Sequence, residues 1–262
     1  MLRYLRLLRI FYKASLLTEL EYRANFLVHG FFSIGWTFWI WIGVAVFYQH
    51  TENLAGWTYY EAIVVVGMFQ VFSGLIEALL RPNIQAIIEH IRKGTLDFIL
   101  LKPVDSQFFV STRQFIFWKL LDMLVGFAVV IYALSRLAIV PSLGSVALFL
   151  VMIILGAIML YSVWMAMITS AFWFVRVDNI SELIYSFFEA GRFPVSVFRG
   201  VVRFTLTFIV PIAFMTTFPA AVLLDKLDWR YVWMALPLAL SFFGLSVWFW
   251  RFALRFYTSA SS

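Results

Sequence analysis

Few residues in this chain are of types that make or break bonds, and their spacing limits what they could do. There is no cysteine, so no disulfide, zinc-thiolate site or Cys nucleophile can form. The three histidines, His29, His50 and His90, fall in separate segments on opposite sides of the hydrophobic runs. They cannot converge on one metal ion. No Gly-x4-Gly-Lys-Ser/Thr phosphate loop occurs, and the nearest text, Lys93-Gly94-Thr95, has the wrong order. A nucleotide site needs backbone N–H groups around phosphates and a positioned Lys. Any use of ATP therefore has to come from a second polypeptide, and no cofactor is expected in this chain. Gly-x-Ser-x-Gly and His-Glu-x-x-His are also missing, which argues against an intramembrane hydrolase or metalloprotease.

The elements that would position any functional residue are set by hydrophobicity. Of 262 residues, 63% are hydrophobic and 13% charged, whereas a soluble domain is nearer half apolar and a quarter charged. The 20% aromatic share suits the same solvent, because Trp and Tyr favour the headgroup layer. Six runs are long enough to span a bilayer, at about 25–48, 58–80, 114–135, 144–174, 200–222 and 230–252; roughly 20 apolar residues suffice. Runs of this length are helical, since lipid offers the backbone no hydrogen bonds. The expectation is an all-α polytopic membrane protein forming a single domain over 1–262. No internal repeat is visible, and the only low-complexity stretch is the Thr258–Ser262 tail.

Arg3, Arg6, Arg9 and Lys13 share one face of a helix over 1–22, with Tyr4, Leu7, Leu8, Phe11 and Tyr12 on the other. This is the pattern of an amphipathic helix in the membrane interface, its cations toward anionic headgroups. It lacks the apolar core and cleavage site of a secretory signal. With the N-terminus placed in the cytoplasm, the segments before span one, between spans two and three, between four and five, and after six carry nearly all of the 20 Lys and Arg. Only Arg136, Lys226 and Arg230 then lie outside. That bias predicts cytoplasmic termini. It also accounts for the net charge of +6 without nucleic acid.

Charged residues at membrane depth are costly and face the bundle interior or water. Glu61 and Glu77 lie near the two ends of span two, and Asp122 lies inside span three. Each could be a pathway or gating contact, or could pair with a neighbour such as Arg81 or Lys119. Ser162, Ala166 and Ser170 form a small-residue stripe suited to close helix packing.

Two segments carry more pattern. In the first, about 82–105, Pro82 permits a bend or a fresh helix start. A helix through Glu89 and Arg92 would end at Lys93, with Gly94 at the C′ position. Thr95 could cap a second short helix with Asp97 in its first turn, stopped by Pro103. Leu96, Phe98, Leu100 and Leu101 would be available to dock, with Lys102 beside them. The alternative is an interfacial loop that merely connects two spans. In the second segment, Arg192, Pro194 and Arg199 precede a span containing Pro211 and ending near Pro219. Proline frees a carbonyl and kinks such a helix, giving either a hinge or a fixed bend.

The run Gly94-x-Leu96-Asp97-x-x-Leu100-x-x-Pro103 resembles the loop after the second span of ABC-2 type exporter permeases. Arg192-Phe193-Pro194-x-x-x-Phe198-Arg199, Ile209–Phe214 and Phe218-Pro219-Ala220 are similar to the bacterial six-span branch without a fused ATPase. The resemblance covers essentially the whole chain. It implies a permease of the bacterial plasma membrane that pairs with a second permease, the same or related, and with two cytoplasmic ABC ATPases carrying ATP and Mg. It implies that Glu89, Arg92, Lys93, Gly94, Leu96, Asp97, Leu100, Lys102 and Pro103 form the coupling helix region. Arg192, Pro194, Arg199, Pro211 and Pro219 are then gating or hinge candidates, and Asp122 a pathway candidate. A non-transporting scaffold subunit is the rival reading. A secondary transporter would show coupling charges in matched broken helices, and no such pairing is present.

Overall fold

The computed structural model describes residues 2–21, 23–173 and 178–257. Arg176 and the Thr258–Ser262 tail lie outside the described residues, as do the side chains of Arg23 and His29. The long helices are α1 (Leu2–Glu21), α2 (Arg23–Tyr48) and α3 (Tyr59–Leu75). A π-helical turn, Ile76–Leu80, continues α3 into α4 (Arg81–Arg92). The short helices α5 (Asp97–Leu100) and α6 (Ser106–Thr112) follow, then α7 (Leu120–Arg136), α8 (Leu143–Thr169) and α9 (Asp178–Glu189). The chain closes with α10 (Gly200–Phe204), α11 (Ile212–Met215), α12 (Thr217–Leu223) and α13 (Trp229–Ala253).

The central helix is α3. Ala62 through Val66, Met68, Phe69, Val71 and Phe72 are all buried, so α3 is apolar on every side and enclosed by its neighbours. Its closest partner is α7. A Cβ placed on Gly126 would lie 2.7 Å from the Gly67 carbonyl oxygen and the Val71 nitrogen. One on Gly67 would meet Val130 at 2.7 Å. Without a hydrophobic force between helices in lipid, small residues that admit close backbones are what holds such a pair. By contrast, α2 and α13 expose Phe31, Phe32, Trp39, Trp233 and Trp248, as lipid-facing helices do.

Contacts define two ends of the bundle. At the α1 end, Tyr4 packs on Phe108, and Trp250 Nε1 donates to Ser106 Oγ at 3.1 Å. At the opposite end, Tyr48 donates to the Trp57 carbonyl, and Lys226 reaches Glu61 at 2.6 Å. Glu61 also accepts from Thr58 N at 2.9 Å, closing a capping box on α3. Glu61 is therefore a paired terminal residue.

One expectation is overturned. Residues 175–199 were expected to stay on the side of the 81–113 loop, with the fifth span at 200–222. Instead Tyr185 bonds Glu77 near the α1 end, Phe188 stacks on Phe69, and Phe193 packs on Phe47. Ser196 then bonds the Ala55 carbonyl and Trp57 Nε1 at the opposite end. The crossing is thus made by about 178–197. The following pair, Gly200–Ile209 and Ile212–Leu223, bends by 62° at Val210–Pro211. It begins close behind Ser196 and ends beside Lys226, so it enters and returns at one end. The periodicity misled because the crossing segment holds Glu189 and Arg192 while the returning one is more apolar. Those two charges pair with each other, and Arg192 also lies over Phe69 and Trp36 at 5.1 and 5.7 Å, which lowers the cost of their depth. Among the described residues six segments then cross, and α1 and Tyr257 still share an end.

The α3–α7 contact yields a direct test. Gly126→Ala is expected to destabilise the protein by about 1–3 kcal/mol through overpacking, lowering its thermal midpoint in detergent. An unchanged midpoint would mean that α3 and α7 separate without cost.

Candidate functional site

The segment Arg81–Val104 forms a ridge at the α1 end, built on α4. The helical run Tyr59–Arg92 counts 34 residues, roughly 50 Å at 1.5 Å per residue. That exceeds a hydrocarbon core of about 30 Å, so α4 projects beyond it. Asn83, Ile84, Ile87 and Ile88 are buried, whereas Gln85, Glu89, Arg92 and Lys93 are exposed. Glu89 and Lys93 form an i, i+4 pair on that outer face.

Gly94 ends α4 as the spacing predicts. Its φ is +65°, a left-handed conformation that suits glycine. Gly94 N donates to the Ile91 carbonyl at 3.2 Å and Thr95 N to the His90 carbonyl at 2.9 Å, which completes a Schellman cap. Thr95 does not cap the next helix. Leu96 occupies that position, and the Thr95 hydroxyl instead meets His90 Nδ1 at 2.8 Å. The first turn of α5 still contains Asp97, and Pro103 lies just beyond it.

The docking expectation divides. Leu96 is fully buried and Ile99 nearly so, while Phe98 is 71% and Leu101 82% exposed. Leu96 and Ile99 anchor the ridge, and Leu100 packs against the same core. Phe98 and Leu101 form its crest, flanked by exposed Arg92, Lys93, Lys102 and Pro103. Leu96 is therefore an anchor and offers no surface to a partner. The C-terminus also reaches this ridge: burial, with the Asp97 carboxylate nearby, pushes the Tyr257 hydroxyl pKa up.

Pro82 makes neither a sharp bend nor a fresh start, because α4 continues from the π turn. Its missing N–H leaves the Ala78 carbonyl without a helical donor. Ile116 N fills that place at 2.8 Å. The non-helical stretch around Ile116 is tied at every amide. Asn83 accepts from Gln114 N at 2.9 Å and donates to the Gln114 carbonyl at 2.7 Å. Ser15 and Glu19 on α1 accept from Phe115 N and Phe117 N. Sequence reasoning missed Asn83; its signal is a polar residue in the buried stripe of α4.

Next to the ridge, Glu77 in the π turn binds Arg81 at 2.7 Å, Lys119 at 3.8 Å and the Tyr185 hydroxyl at 3.1 Å. Lys119 also meets Asp122 at 3.3 Å, and Ser33 donates to the same buried carboxylate. Asp122 thus ties α2 to α7 and pairs with Lys119, one of the two readings its position left open. Ser162, Ala166 and Ser170 line a groove of about 520 Å³ with Ile209, Ser246 and Trp248 between α8 and α13.

The hinge candidates separate in space. Pro194 is buried behind Val195, whose N–H donates to Thr217 Oγ1 at 3.0 Å. Arg199 is exposed toward the Trp57 end. Pro211 marks the 62° bend. Pro219 sits in the first turn of α12, where its missing N–H costs little.

Among the described residues, a bundle of apolar crossings with a projecting ridge defines an integral membrane protein. Residues 34–261 match the profile described as ABC-2 family transporter protein, and the chain belongs to that family. It is the membrane permease component of an ABC transporter, whose partner is an ABC ATPase subunit. Neither a curated protein nor a solved structure matches it.

Two substitutions test how the ridge is held. Gly94→Ala forces a side chain into the left-handed region, at roughly 1–2 kcal/mol. Faster hydrogen exchange from Thr95 to Leu100, with the spans unaffected, is the expected result. Asn83→Ala orphans both Gln114 backbone groups, and a loss of about 2–3 kcal/mol is expected in detergent unfolding.

Proposed function

We propose that this chain is an exporter permease of the bacterial plasma membrane, with both termini cytoplasmic. It works as a dimer with an identical or related permease, bound to two cytoplasmic ABC ATPases that carry ATP and Mg. The substrate is amphiphilic or lipid-like and moves by alternating access. The observation that carries the reading is the ridge: an apolar crest of Phe98 and Leu101 with flanking cations, held on a helix continuous with α3. Such a crest suits a groove on an ATPase, and the continuity gives nucleotide-driven movement a direct route into the central helix. Coupling of this kind needs an element with two states that the nucleotide biases differently.

The orientation is supported by the cations of α1 and of the 81–119 segment, all at one end. Moving Arg199 and Arg203 to the opposite end leaves that bias with the same sign.

The test is co-purification with an ABC ATPase encoded beside this chain. Phe98→Asp with Leu101→Asp is expected to abolish association and the permease-dependent change in ATP hydrolysis, while the variant still folds. Undiminished association would remove the ridge as the docking element. Failure of the parent chain to bind any phosphate-loop ATPase would favour a scaffold role.

A further inference from the structure

A concave surface lies under α1, beside the ridge. It is a groove of about 880 Å³ between α1 and residues 102–116. Its floor is apolar and aromatic, with Leu7, Phe11, Phe109 and Phe115 among its lining residues. Its charged lining is Arg3, Lys102, Arg113 and Glu19. Lys102 and Arg113 lie over one and the same ring, that of Phe109, at 5.3 and 5.7 Å. Neither they nor Arg3 has an acidic partner among the described residues. Glu19 forms no ion pair with them; its carboxylate is turned to Phe117 N at 2.9 and 3.0 Å. Asp105, at the other end, is engaged in capping α6 through Phe108 N. Two like charges held on one ring repel each other, and an anion between them relieves that.

The groove's setting decides which anion. α1 turns Leu2, Leu5, Leu16, Leu17 and Leu20 outward, exposed, while Phe11 and Tyr12 pack on Phe109 and Phe115. Arg6, Arg9 and Lys13 are exposed on the same helix, and a helix that presents leucines and cations together in this way lies in the membrane interface. From Arg3 to Glu19 it lines roughly 24 Å of groove at 1.5 Å per residue, enough for a headgroup and much of an acyl chain. A free phosphate would use the cations and leave the aromatic floor bare.

We propose that this groove binds one anionic phospholipid, with its phosphate among Arg3, Lys102 and Arg113 and an acyl chain over Leu7, Phe11 and Phe115. The bound lipid would join the interfacial helix to the segment leaving the ridge, so the ridge would be sensitive to membrane charge. This inference rests on the membrane setting and not on the exporter reading.

The experiment is native mass spectrometry of the full chain in detergent, titrated with phosphatidylglycerol, phosphatidylcholine or inorganic phosphate. One phosphatidylglycerol per chain should be retained ahead of phosphatidylcholine. Lys102→Gln with Arg113→Gln should weaken that binding by about fivefold for each cation removed, whereas Arg113→Lys should keep most of it. Equal retention of the two lipids, or undiminished phosphatidylglycerol binding in the double variant, would overturn the proposal. Inorganic phosphate that displaces the lipid in full would overturn it as well, assigning the cations to a free anion. Should the double variant not fold, Arg3→Gln on the exposed start of α1 carries the same test.

Discussion

Pro82 has no N–H to give, and the Ala78 carbonyl it would have served belongs to a buried residue, where an unpaired carbonyl is expensive. Ile116 N takes that place. Much of the α1 end follows from this one bond. To reach Ala78, the chain before α7 must run extended beside α4, and its other amides then need partners too. Asn83, Ser15 and Glu19 supply them. Helix α1 is thereby fastened to the bundle, and Tyr4, Phe11 and Tyr12 pack it against Phe108, Phe109 and Phe115.

A second layer of ties sits just inside the first. Glu77, Arg81, Lys119 and Asp122 place two carboxylates and two cations within one network, joined by Ser33 from α2 and Tyr185 from α9. Isolated, any of these charges would be costly at this depth. Together they bind α2, α3, α7 and α9 at one level. The π turn at Ile76–Leu80 turns Glu77 into that network without breaking the helix.

Much of this was legible from residue types. The hydrophobic runs located α2, α3, α7, α8 and α13 because each is long, continuous and apolar. Gly94 announced the end of α4 because a left-handed cap favours glycine. The spacing of Lys119 and Asp122 allowed their pairing but did not choose it over a pathway role. The crossing at 178–197 was hidden for a physical reason. Glu189 and Arg192 make it look polar, and only their mutual pairing and the rings of Phe69 and Trp36 allow it in. The bent pair around Pro211 has the opposite disguise, since a re-entrant segment among apolar helices is as hydrophobic as a span. Leu96 and Phe98 could not be told apart in the sequence either. Which of two apolar neighbours is buried depends on how α5 rolls against the core, and that is fixed by contacts distant in sequence.

The long helix Tyr59–Arg92 meets α7 closely at Gly74 against Met123 and, backbone to backbone, at Gly67 against Gly126. The Gly67 contact divides the rod unequally, with Tyr59 eight residues on one side and Arg92 twenty-five on the other. At a constant rise per residue the arms stand at roughly one to three. Gly67 is placed as a fulcrum near one end of a stiff beam. A tilt about it would carry the ridge some three times as far as the Tyr59 end. Read in reverse, a modest push on the ridge arrives at the Glu61–Lys226 clasp as a shorter stroke with about three times the force.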